Sequence, residues 1–185
     1  MERSNEKKPL TFREIFRWLV FAAVCVVIFS FSSRNAVQSS GQSDGIVDKV
    51  ITLYLDDLED ADNAGAGAVR SLLSFVIRKL GHFSEFALLC ASAFAALMRV
   101  PRYKLRLLFA CVIGLVYACT DEIHQLFVPG RAGMISDVAI DLCGVIAGAL
   151  FAFLAAVLNR CIKLIETESE TMEEKYNERD KDKKI

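Results

Sequence analysis

Apolar residues in this chain fall in long blocks separated by short charged connections. Four blocks are long enough for a helix across a bilayer core, which takes about 20 residues. They are 15–33, 80–98, 105–120 and 138–158, and the last contains a single charge, Asp141. The third is the shortest. It extends into Asp121 and Glu122 at one end, and Lys104 and Arg106 anchor the other by snorkelling. Between the first two blocks, the run from Ser39 to Gly45 reads as a flexible stretch. Beyond it Ile46, Val47, Val50, Ile51, Tyr54 and Leu58 recur at helical spacing, opposite Asp48, Asp56, Asp57 and Glu59. That pattern predicts an amphipathic helix whose acidic face suits packing over the bundle better than binding lipid. Gly65 and Gly67 are expected to break the chain before a second apolar stretch, 69–80, enters the second block. The predicted fold is all-α, an integral membrane bundle of four transmembrane helices with an additional outward amphipathic helix. Residues 1–14 form an N-terminal segment, 15–164 the membrane domain and 165–185 a charged tail. The tail has too few apolar residues to bury and is expected to be solvated.

Charge in the connections predicts direction. Lys7, Lys8, Arg13 and Arg17 precede or enter the first block, Arg99, Arg102, Lys104 and Arg106 crowd the second connection, and Arg160 and Lys163 follow the fourth block. The third connection holds only Arg131. The positive-inside rule then places both termini and the middle connection in the cytoplasm of a multi-pass cell-membrane protein. A basic stretch before an apolar block also fits a secretory signal peptide. The first block is long for a signal core, however, and its exit, Phe29-Ser30-Phe31-Ser32-Ser33, offers no clean small-x-small cleavage site, which favours an uncleaved span. Composition agrees: the 185 residues are 54% hydrophobic with a net charge of -1, which argues against disorder and against nucleic acid as a partner. The six cysteines form no Cys-x-x-Cys pair and lie in or beside the apolar blocks. They read as small packing residues rather than a disulfide framework.

This topology gathers polar residues from three separate stretches on the outer side. Arg78, Lys79, His82 and Glu85 enter the second span; Asp121, Glu122, His124 and Gln125 leave the third; Arg131, Ser136, Asp137 and Asp141 lead into the fourth. Arg78, His82 and Glu85 share one helix face, as do Asp121 with Gln125 and Asp137 with Asp141. A charge at mid-bilayer costs roughly 2.5–3.5 kcal/mol on insertion scales, so these groups are expected to face one another or a hydrated pocket. Gly144 and Gly148 form a small-x-x-x-small pattern, read as internal packing with homodimerisation as the alternative.

Three blocks carry a family resemblance: Arg78-Lys79-Leu80-Gly81-His82-Phe83-Ser84-Glu85-Phe86, the run from Asp121 to Arg131, and Ser136-Asp137-Val138 with Asp141 and Gly144. Together with the exit of the first span they resemble the VanZ-like family of small bacterial membrane proteins. The likeness extends from about residue 16 to residue 158. Members often carry Asn where this chain has Asp141 and Tyr where it has Phe86. The resemblance implies a polytopic protein of the cell envelope. The family is named for a protein linked to resistance against the glycopeptide teicoplanin.

Three chemistries compete for the polar residues. In the first, Arg78, Lys79 and Arg131 hold the phosphate or carboxylate of a lipid-linked cell-wall intermediate or of a glycopeptide, and His82, Glu85, Asp121, Glu122, His124, Gln125, Asp137 and Asp141 complete the ligand pocket. In the second, His82, Glu85, Glu122 and His124 bind a divalent metal of the zinc, manganese or iron type that activates water against a phosphoester or amide. In the third, the cluster only pins helices together. No Ser-His-Asp or Cys-His order is readable. No catalytic residue is assigned, and a metal enters only with the second reading.

Overall fold

The computed structural model describes residues 9–34, 36–54, 63–131 and 133–182. Lys7, Lys8, Asp56, Asp57, Leu58 and Glu59, read above from sequence, lie outside them. Among the described residues the fold is all-α, with five helices: α1 Phe12–Ser32, α2 Ala36–Tyr54, α3 Asn63–Ala96, α4 Tyr103–Gln125 and α5 Ile135–Asp182. The chain divides into two compact units, Met1–Ala149 and Leu150–Ile185. In the second unit α5 continues through the charged tail to Asp182, and residues 157–173 are exposed. Glu and Lys are good helix formers, so the tail is solvated yet helical.

Helices α1, α4 and α5 are each long and apolar enough to cross a membrane. Their surfaces are inverted relative to a soluble domain. Val116 of α4 and Ile146 of α5 are exposed, whereas Asp121, Glu122 and Asp141 are buried. That pattern suits an apolar solvent around a polar interior. Residues 80–96 of the second block form the C-terminal half of α3, which is not one of the three, because Lys79, His82 and Glu85 interrupt its apolar run.

Side-chain contacts set the helix directions. Along α3, Lys79, His82, Phe83 and Ala87 meet Asp137, Asp141, Gly144 and Gly148 of α5 in the same order, so the two helices run parallel. Glu122 of α4 meets Met134, and Gly114 of α4 meets Val145, so α4 is antiparallel to α5. Tyr117 donates to the Cys25 carbonyl at 2.7 Å, and Ser33 lies 3.1 Å from His124, so α1 runs with α4. The ends of α1 and α4, the start of α5 and residues 78–85 of α3 therefore share one end of the bundle. The opposite end carries Arg13, Arg17, Arg99, Arg102, Lys104 and Arg106. There Arg99 grips Glu14 through two nitrogens, at 2.8 and 3.1 Å, and Glu14 closes a capping box with Thr11. Arg106 stacks on Phe94, 3.8 Å from the ring centroid.

Two local readings need correction. The Ser39–Gly45 run is helical within α2, and Gly65 and Gly67 lie inside α3 rather than breaking it. Gly costs roughly 1 kcal/mol per helix position, and docking supplies compensation for α2. Val47 and Ile51 are buried, Ser74 donates to Asp44 at 2.7 Å, and Arg70 pairs with Asp48 at 3.0 Å. The helix thus packs against α3, with its apolar Val47 and Ile51 buried and Asp48 paired at the edge, in keeping with a packing role. All six cysteines are free.

Candidate functional site

A cavity of about 200 Å³ opens at the polar end. Its wall takes Ser32 from α1, Ile46 from α2, Arg78, His82 and Glu85 from α3, Asp121 from α4, and Arg131. The spacing of Arg78, His82 and Glu85 explains their common face, since steps of four and three residues return to one side of a helix.

Arg131 is placed by a turn. Its N–H donates to the Val128 carbonyl at 3.1 Å, with Pro129 and Gly130 between. Gly130 has φ 78°, the left-handed value that the second central residue of a type II turn requires, after a Pro that favours the first. Burial lowers the Arg131 guanidinium from its ordinary range, as does Arg78, while Asp121, Glu122 and Asp137 act in the opposite sense. Beyond the turn, Glu122 accepts from the Met134 N–H at 2.8 Å, tying the start of α5 to α4. Asp137 sits in the first turn of α5, where a negative charge suits the helix dipole.

Beside the cavity is a set of buried polar groups. His82 Nδ1 lies 3.3 Å from Asp141 Oδ1, and Asp141 is 0% exposed. Apart from this ion pair, His82 Nδ1 and both Asp141 oxygens have no hydrogen-bond partner among the described residues. Ser32 Oγ and Glu122 Oε1 share that condition. Asp121 accepts from Gln125 Nε2 at 3.0 Å. One ligand atom from each of His82, Asp121 and Asp141 lies within 4.8 Å of the other two.

The residues expected from sequence therefore separate into groups. Arg78, His82, Glu85, Asp121 and Arg131 line the cavity, with Asp141 against His82. Lys79 is committed to an ion pair with Asp137. Gln125 orients Asp121, and Glu122 holds the α5 terminus. His124 turns to α1, against Ser33 and the Phe29 ring, whose centroid is 4.9 Å away. The metal set His82, Glu85, Glu122 and His124 is thus not brought together. Glu122 and His124, two residues apart, point about 200° apart around a helix. Ser32 and Ile46 were missed as site residues. The Ser-rich exit of the first span was the available signal for Ser32.

A family model described as VanZ/LLP1 matches residues 16–156. No curated protein and no solved structure matches the chain. With the three apolar helices, the family match makes this a membrane protein.

Proposed function

The chain belongs to the VanZ/LLP1 family, and from that premise we propose a four-span protein of the cell membrane whose polar pocket faces outward and binds an anionic group of an envelope lipid. The apolar half of α3 is the fourth span, and both termini are cytoplasmic. The gathering of Arg13, Arg17, Arg99, Arg102, Lys104 and Arg106 at the end opposite the pocket supports that direction. One observation carries the ligand reading: Arg78 and Arg131, from separate stretches of chain, line the same cavity. The forked donors of two guanidinium groups on one cavity wall match phosphate and carboxylate oxygens. Lys79 drops out of the ligand set because Asp137 occupies it. The ligand class is the phosphate of a lipid-linked cell-wall intermediate. Tolerance to teicoplanin-type glycopeptides is the cellular phenotype that follows.

The test is binding of a short-chain polyprenyl phosphate to the full chain in nanodiscs. A charge-assisted hydrogen bond contributes about 1.5–3 kcal/mol. Arg131→Gln should therefore weaken binding by roughly 10- to 100-fold with helicity and melting temperature retained. Equal affinity in a folded Arg131→Gln protein would overturn the reading.

A further inference from the structure

We propose that His82, Asp121 and Asp141 bind one divalent first-row transition cation at the side of the pocket. It deepens the anion reading, on which it rests only for the role of the cation, as the counter-charge that draws a phosphate inward between Arg78 and Arg131.

Three observations converge on the site. The ligand atoms come from three helices and lie within 4.8 Å of one another. Bonds of about 2.0–2.2 Å in a tetrahedral set place ligand atoms about 3.3–3.6 Å apart; His82 Nδ1 and Asp141 Oδ1 already stand 3.3 Å apart, and side-chain movement of up to about 1.5 Å completes the set. Asp141 is wholly buried, and neither of its oxygens has a hydrogen-bond donor among the described residues. A buried carboxylate with no hydrogen-bond donor is costly, and a cation shared with His82 lowers that cost. His82 presents Nδ1 to the same point without a hydrogen bond of its own. Glu122 Oε1, also buried and unpartnered, adds to the negative potential nearby. An imidazole with two carboxylates suits the manganese-to-zinc series better than calcium or magnesium, which prefer all-oxygen sets. Three protein ligands leave coordination positions for water or an anion, as in open rather than structural sites. Gln125 supplies the orienting contact to Asp121 that ligating carboxylates usually have.

The test is equilibrium dialysis of the detergent-purified, tag-free full chain against Zn²⁺, with metal and protein quantified and folding followed by circular dichroism. Wild-type protein should retain one equivalent. Asp141→Asn and His82→Gln should each lower affinity by at least about 100-fold, and Gln125→Ala by about 10-fold, the range typical of an outer-shell partner. His124→Gln should bind as wild type, because His124 faces α1. Arg131→Gln should keep the metal while losing polyprenyl phosphate, so the two readings fail separately. A folded wild-type chain without stoichiometric zinc would overturn the cation site and leave the anion pocket standing. Undiminished binding in His82→Gln would overturn it equally, and needs no folded Asp141 variant.

Discussion

Gly148→Leu should separate α5 from α3 and lower stability by at least about 3 kcal/mol, above the 1–3 kcal/mol usual for overpacking a core. A Cβ at Gly148 would strike the backbone of Ala87, and one at Gly144 the backbone of Phe83. Backbone cannot swing aside as a side chain can. The parallel α3–α5 register that places His82 beside Asp141 depends on this close approach. Gly144→Ala should act in the same direction with a smaller effect. Gly67→Ala is the control: its site is open, and Ala is the better helix former by about 1 kcal/mol, so it should be neutral or stabilising. Thermal unfolding in detergent, followed by circular dichroism, measures all three. A Gly148→Leu protein melting with the wild type would show that the two helices do not pack through this face. The alternative of a Gly144–Gly148 dimer seam is displaced by the same contact, since α3 already occupies it.

The second large effect concerns Lys79 and Asp137. Their side chains are only 18% and 12% exposed, and Ser136 Oγ also donates to Asp137 at 3.2 Å. Removing one partner of a buried pair costs about 3–5 kcal/mol, because the other charge is left without compensation. Lys79→Met alone should therefore destabilise strongly. The double variant Lys79→Met with Asp137→Leu should recover most of the loss, since replacing both partners removes the stranded charge. Additive losses in the double variant would mean that the pair is not coupled.

Much of the site was legible because loop charge and helical spacing are local properties. The sidedness pattern put Arg78, His82, Glu85, Asp121 and Arg131 together, and one cavity lined by all five agrees with it. Partner choice was not legible. His82 meets Asp141 rather than serving with Glu85, because helix rotation is set by where Gly144 and Gly148 let α5 approach. His124 looked equivalent to His82 in sequence, yet its face of α4 meets Phe29 and Ser33 of α1. Propensity failed at Ser39–Gly45, where the contacts of Asp44 and Asp48 with Ser74 and Arg70 support a helix that composition alone disfavours. Block 80–98 reads as a span in sequence, yet α3 is not among the three apolar helices, because Lys79, His82 and Glu85 interrupt its apolar run.

Convergence of these stretches at one outward-facing cavity is tested most directly by labelling intact cells with a membrane-impermeant thiol reagent. Single cysteines at Gly81→Cys, Arg131→Cys and Arg102→Cys, in a chain stripped of its six native cysteines, report the two ends of the bundle. The account predicts that positions 81 and 131 react from outside and that position 102 reacts only after the membrane is opened. Labelling of 81 and 131 from opposite faces would contradict it.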